Sequence, residues 1–243
     1  MHEKCEKYFP MHVHSKGQLS FVEGGLAYVR VPDRIFVIPP RHYFWIPAGL
    51  EHDLTVGHHA THLRSLFFYT HDDSKHEFYN KIGIYPINEL LVQMIKFSEG
   101  WDGQVTADDE RFIFLKAIKN LLPKISTHLL SVAFPSTDNK RMLEILDYIE
   151  SNLAEPLSID NVASKFGLSD RSLSRFFQST LKISFKQYVI LLRMAKAFEL
   201  IARNEYSLEE IAYLTGYQSL SSFSNTFRQF TNFRPSDLTA FDQ

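Results

Sequence analysis

The chain has 243 residues, of which 44% are hydrophobic and 22% charged, with a formal charge of −2. These values suit a globular protein of one large domain or two ordinary ones. A single cysteine, Cys5, excludes a disulfide framework and any cysteine-based zinc ribbon, and it fits a reducing cytoplasm. Residues Met1–Pro10 are charged and carry no apolar signal segment, and no apolar run approaches the roughly 18 residues of a membrane span.

Residues 12 to 70 read as strands. Gln18–Val22, Ala27–Val31, Ile35–Ile38, Tyr43–Ile46 and Leu63–Tyr69 are short and rich in β-branched and aromatic residues. Gly24-Gly25, Pro32-Asp33, Pro39-Pro40 and Pro47-Ala48-Gly49 separate them, which suggests a sandwich or small barrel. After Pro86 the period becomes helical. Leu90, Leu91, Met94, Ile95 and Phe97 define one helix, and Phe112, Leu115, Ile118, Leu121 and Leu122 a second. The polar stretch Phe134–Asn139 marks a domain boundary. From Lys140 onward the chain reads as helical: Met142, Leu143, Leu146, Ile149 and Leu153 form an apolar stripe, Pro156 closes that helix, and a long helix covers roughly Phe185 to Arg203.

The helical half contains an internal repeat. An offset of 49 residues separates Ser158 from Ser207, Ala163 from Ala212 and Gly167 from Gly216. An offset of 50 relates Ser169, Leu173 and Phe177 to Ser219, Phe223 and Phe227. Each serine suits a helix N-cap, and Ser207 with Glu210 makes a capping box. Each glycine suits a left-handed turn after a first helix. The expected product is helix, tight turn, helix, twice over, a shape whose second helix fits the DNA major groove. Between Lys165 and Lys196 the charged residues are Lys165, Arg171, Arg175, Lys182, Lys186, Arg193 and Lys196 against Asp170 alone. Such a local basic stretch outweighs the weakly negative total as a sign of a nucleic-acid partner.

Val162-Ala163, Gly167-Leu168-Ser169 and Leu173–Phe177, followed by Ile211-Ala212, Gly216-Tyr217, Ser221–Ser224, Phe227-Arg228 and Pro235, resemble the DNA-binding domain of the AraC/XylS family of bacterial transcription regulators. The resemblance covers residues 140–240. It implies two recognition helices in successive major-groove segments of double-stranded DNA. Carried over by position, Arg171, Ser174 and Arg175 on the first helix and Leu220, Ser221, Ser222 and Asn225 on the second face bases, with Ser219 at the start of the second. Lys182, Lys186 and Arg228 are expected on phosphates, which position without specifying. The sequence departs from the family at Asn232, where glycine is usual, and at Asp237-Leu238, where a Tyr-Arg pair often stands; both bear on packing of the last turn.

His12, His14 and Gln18, followed by Pro47, Gly49 and His52, resemble the two motifs of the cupin superfamily, and many AraC-type regulators carry such a barrel as an effector domain. If residues 12 to 18 form one strand, alternation puts positions 12, 14 and 18 on one face. The resemblance makes His12, His14, Gln18 and His52 a candidate site for a divalent transition metal or a small-molecule effector. Three imidazoles suit Zn, Fe, Ni or Cu, while Gln18 replaces the usual acid. His58, His59 and His62 form a second cluster that reads as surface. Phe21, Tyr28, Phe44 and Trp45 are candidates for a pocket lining, and Arg41 and Arg64 for an anionic effector.

The expected fold is therefore α+β with two domains. Residues 1–134 form a cupin-like double-stranded β-helix (about 10–71) with trailing helices (about 87–133). Residues 135–243 form an all-α domain with two helix-turn-helix units joined by a long helix. The expected function is effector-controlled, sequence-specific transcription regulation in the cytoplasm, without enzymatic activity; the alternative is a metal-dependent cupin enzyme fused to a DNA-binding domain. A homodimer through the helices at Asn88 to Leu122 is expected, and RNA polymerase is a partner open to such a regulator.

Overall fold

A computed structural model describes residues 7–239 apart from 24, 58–61, 102 and 131, so Cys5, His58 and His59 lie outside the described residues. Among the described residues the first half holds nine strands: β1 (Lys7–His12), β2 (Gly17–Glu23), β3 (Ala27–Val31), β4 (Arg34–Ile38), β5 (His42–Ile46), β6 (His52–Val56), β7 (His62–Phe68), β8 (Gly83–Pro86) and β9 (Ala133–Pro135). They form a five-stranded sheet ordered β1-β6-β3-β4-β9 and a four-stranded sheet ordered β7-β2-β5-β8. Helices α1 (Glu89–Phe97) and α2 (Glu110–Ile125) interrupt the strands before β9.

The inner strands β2 and β5 of the four-stranded sheet are buried on both faces. The sheet's outer residues Leu19, Tyr43, Trp45 and Phe68 pack on Leu91, Ile95, Ile118 and Leu122 of α1 and α2. Its inner residues Val22, Phe44, Ile46 and Ile84 join Val29, Ile38 and Leu54 of the other sheet. Double burial explains why these strands read as nearly continuous apolar runs rather than clean alternations. Phe21 and Trp45 therefore belong to the outer layer under the helices rather than to an inner pocket.

Helix α2 continues through Pro123, whose missing N–H would otherwise bond the carbonyl four residues back. That carbonyl, on Lys119, accepts the Tyr79 hydroxyl at 2.9 Å instead. The Lys119 ammonium is itself buried and is held by Asp72, by Asp73 at 2.6 Å and by the Tyr69 carbonyl at 2.6 Å.

Strand β9 overlaps the start of the polar stretch Phe134–Asn139. It pairs with β4, Ile35 opposite Phe134, and the Phe134 ring reaches Tyr188 at 6.0 Å. Tyr188 lies on α6 (Phe185–Arg203), the long helix at the centre of the C-terminal half. Around it stand α3 (Lys140–Ser151), α4 (Ile159–Lys165), α5 (Asp170–Thr180), α7 (Leu208–Leu214), α8 (Leu220–Thr231) and the short α9 (Pro235–Thr239).

The repeated serines start the helices as the repeat implies. Ser158, Ser169, Ser207 and Ser219 each accept the backbone N–H three residues on. Gly167 and Gly216 have φ of 64° and 80°, the left-handed values their turns require. Asn232 closes α8 at φ 63°, a conformation asparagine tolerates better than most side chains, which accounts for its standing in a glycine position. Asp237 accepts the Arg234 N–H at 2.8 Å and Leu238 is buried, so this departure from the family pattern serves the last turn.

Candidate functional site

Helices α5 and α8 each bury one face and expose the other. Leu173 and Phe177 of α5, and Phe223 and Phe227 of α8, are fully buried. Residues three and four positions apart share a helix face. Burying one stripe therefore sends Arg171, Ser174 and Arg175 outward on α5, and Leu220, Ser221, Ser222, Asn225 and Arg228 outward on α8, all exposed. Arg171, Arg175, Lys186 and Arg228 make no ion pair among the described residues.

The rest of the basic stretch is partly committed. Lys196 pairs with Glu199 at 3.0 Å. Lys165 lies over the Tyr148 ring at 5.8 Å. Lys182 follows α5 at φ 60° and its ammonium donates to the Ser179 carbonyl at 2.9 Å, so it closes the helix as well as standing exposed. Ser219 spends its hydroxyl on the Ser222 N–H, a capping role. The guanidinium of Arg193 lies over Tyr217 at 5.2 Å, and burial lowers its pKa. Sequence reasoning gave Arg193 no role of its own; its position between the two helix pairs exists only in the folded domain.

The barrel gathers the three histidines. His12 ends β1 and stands directly opposite His52 on β6. His14 and Gln18 are not on the same strand as His12, because the chain leaves strand geometry after His12 and re-enters it at Gly17. The turn, rather than strand alternation, brings His14 over, and the ring centroids lie 4.4–5.9 Å apart. Their ligating nitrogens all lie within 4.8 Å of one another.

Each of the three rings turns Nδ1 toward a backbone carbonyl: Pro10 for His12 at 2.7 Å, Lys16 for His14 at 2.6 Å and Leu50 for His52 at 2.8 Å. A carbonyl only accepts, so each Nδ1 carries the proton, and a neutral ring then presents a lone pair at Nε2. A carbonyl that holds Nδ1–H fixes the direction of the Nε2 lone pair, which is how metal-ligating histidines are usually oriented. The Nε2 of His52 is buried without a partner. Burial lowers the pKa of His52, and the neighbouring rings of His12 and His14 lower it further. The amide end of Gln18 stands 2.8 Å from His14 Nε2 and 2.8 Å from the Ser20 hydroxyl, which meets Ser65 at 2.7 Å. Here Gln18 Oε1 faces His14 Nε2 and the amide NH2 donates to Ser20; turning the amide over would place its NH2 on the His14 lone pair and its oxygen on the Ser20 hydroxyl.

The remaining sequence candidates lie elsewhere. Arg41 donates to the Asp237 carbonyl at 2.5 Å and faces Phe233 at 6.0 Å, so it joins the barrel to the last helix. Arg64 is paired with Glu23 at 3.5 Å and Glu99 at 2.8 Å. His62 is exposed with Nδ1 3.5 Å from Glu23. Phe44 is core, and Tyr28 lines a groove between the sheet and α3 and α6. Leu90, Phe97 and Ile113 remain exposed on α1 and α2.

Two family models match the chain: a helix-turn-helix domain over residues 162–240, and an AraC-like ligand binding domain over residues 2–78. The chain is 33% identical over 101 residues to the HTH-type transcriptional regulator GbdR of Pseudomonas aeruginosa, covering 42% of this chain and 28% of that one. It is 28% identical over 160 residues to the HTH-type transcriptional activator RhaS of Salmonella arizonae, covering 65% of this chain and 55% of that one. The match thus spans about a quarter to about half of the length of these relatives. Among solved structures it is similar to the C-terminal domain of AraT, a response regulator from Geobacillus stearothermophilus, with 28% identity, a TM-score of 0.41, and coverage of 43% and 87%. It is also similar to ToxT from Vibrio cholerae, with 12% identity, a TM-score of 0.40, and coverage of 98% and 95%.

Proposed function

The chain belongs to the AraC family, and on that premise we propose that it is a transcription regulator that reads specific duplex DNA with α5 and α8 under the control of a ligand in its N-terminal barrel. The observation that carries this reading is the pair of capped helices whose outward faces hold unpaired polar and cationic side chains while their inward faces are fully buried. Arg171 and Arg175 suit guanine O6 and N7, Asn225 suits adenine, and Ser174, Ser221 and Ser222 are permissive. Leu220 offers an apolar contact to a thymine methyl. Lys186, Arg228 and the exposed Lys182 suit phosphates. Selection of bound sequences from a random duplex pool by the full chain should enrich one motif. Enrichment no better than non-specific binding would overturn the reading.

The division proposed is residues 1–134 for effector binding and 135–243 for DNA. In this reading the barrel binds the effector and the helical half reads DNA, and the chain acts as a regulator in the cytoplasm and not as an enzyme. His12, His14 and His52 fit a borderline divalent ion such as Zn through their three Nε2 atoms, after Gln18 gives up His14 and small side-chain rotations close the nitrogens to coordination distance. Equilibrium dialysis against a metal panel, with His52→Ala as control, tests this; equal retention by both proteins counts against the trio. Leu90, Phe97 and Ile113 form an apolar surface on α1 and α2 that suits a second copy of the chain. Light scattering of the wild type and of Leu90→Glu with Phe97→Glu tests the homodimer, and a monomeric wild type refutes it. RNA polymerase is the natural further partner of a DNA-bound activator.

A further inference from the structure

A cavity of about 210 Å³ lies at the free edge of β7, outside the two sheets and beneath the segment that joins α1 to α2. Its apolar walls include Phe67, Trp101 and Phe112, and Lys16, Tyr69 and Lys116 border it. The cavity is smaller than the roughly 300–1,000 Å³ of drug-sized pockets, so its occupant is compact. Lys119 also lines it, but the protons of that ammonium are committed to Asp72, Asp73 and Tyr69. That ammonium offsets one of the two carboxylates, so the cluster keeps one negative charge, with Asp72 in the lining, against the two ammoniums of Lys16 and Lys116. Lys16 sits over the Tyr69 ring at 4.8 Å, and neither it nor the exposed Lys116 has a carboxylate partner among the described residues. The geometry points to a compact organic monoanion, an aromatic or aliphatic carboxylate, with its apolar body among Phe67, Trp101 and Phe112 and its charge toward Lys16 and Lys116.

This site extends the effector reading above and rests on it for its regulatory meaning. Two of its walls touch the histidine trio. Phe67 meets the His14 ring edge-to-face at 5.2 Å, and the carbonyl of Lys16 holds His14 Nδ1 at 2.6 Å. An occupant that moves either residue reorients His14.

Calorimetry on the full chain with phenylacetate, hexanoate and cyclohexanecarboxylate tests the site, with phenylacetamide and phenethylamine as the neutral and cationic counterparts of the first. Phenylacetate should bind at least about tenfold more tightly than either counterpart, because a charge-assisted bond is lost in both. Its addition should also change the fluorescence of Trp101, and the change should vanish in Trp101→Phe, which leaves Trp45 as a silent control. Lys116→Met removes an exposed charge without touching the core and should weaken phenylacetate about tenfold, while phenylacetamide is unaffected. No carboxylate binding below about 1 mM, equal binding of acid, amide and amine, or unchanged acid binding by Lys116→Met each overturns the proposal. The same preparations are assayed for duplex binding. Retained DNA binding without carboxylate binding refutes this site alone, whereas carboxylate binding without DNA recognition refutes the regulator reading.

Discussion

The two helix pairs descend from one sequence pattern but sit in different surroundings. Gly167, in the first turn, faces open space, with nothing within 4 Å of where a Cβ would be. Gly216, in the second, would bring a Cβ to 2.4 Å from the Leu153 carbonyl and 2.5 Å from the Arg193 guanidinium. The second pair is also tied to the barrel, through Phe233 against His42 at 5.8 Å and Asp237 against Arg41. The first pair carries the two arginines of its outward helix face, while α8 offers serines, an asparagine and Arg228. Repetition thus fixes the local shape of both units, residue identity makes the first outward face cationic and the second mainly neutral, and packing leaves the first turn open and crowds the second.

The largest test of this asymmetry is glycine replacement. Gly167→Ala should cost about 1 kcal/mol, the strain of a left-handed alanine alone. Gly216→Ala adds overpacking against a backbone oxygen and should cost roughly 3 kcal/mol or more. Urea denaturation of both variants reads the difference, and equal losses would erase the distinction.

The anchorage of the second unit should respond to acid. His42 is buried beside Phe233, its Nδ1 bonds the Pro40 carbonyl at 2.9 Å, and burial lowers its pKa from 6.5 to about 4. Between those values the unfolded chain binds more protons than the folded one, so stability falls as pH drops through that window. The loss attributable to His42 approaches about 3 kcal/mol at the acid end. Denaturation between pH 7 and pH 4 should show a shallower decline for His42→Leu than for the wild type; parallel declines would place the acid sensitivity elsewhere.

At the reading surface, Arg175→Ala should cost about 1–3 kcal/mol on the preferred DNA and relax one base position. Asn225→Ala should relax preference less, and Lys186→Ala should weaken all sequences alike while reducing the salt slope by about one unit. Competition binding at several salt concentrations separates these outcomes. The smallest effect concerns the caps. Ser158→Ala should cost about 1 kcal/mol. Ser207→Ala should cost slightly more, since it also releases Glu210 from the capping box that Asn161 cannot form in the first unit. Thermal melts of the two variants rank them.

Much of the helical half was legible in the sequence because its signals are local. A serine before an apolar period, a glycine after it and a four-residue spacing of Leu173 and Phe177 define helix, turn and helix from a few residues each. The bounds of α6 follow from the same periodicity. The strands were harder. His52–Val56 and Gly83–Pro86 are short and were not read as strands, and Phe134 looked like linker although it pairs with β4. A strand that short is stable only through its neighbour's hydrogen bonds, which the local sequence does not contain.

Composition, periodicity and the 49-residue repeat by themselves determined that this chain has a β-rich first half and a tandem helical second half, with cations concentrated near the first outward helix. Only the tertiary structure decided what those parts touch. Strand register put His12 across from His52 and left His14 to a turn. The outer sheet face buried Leu91 and Ile118 while leaving Leu90 and Phe97 exposed. The Leu153 carbonyl just beyond α3 and Arg193 of α6 crowd the second turn at Gly216, while the first turn leaves space around Gly167. The physical reason is range: caps, turns and amphipathic faces are settled within one or two helical turns, whereas register, pairing and burial are settled between residues tens of positions apart, each side of the contact blind to the other in sequence.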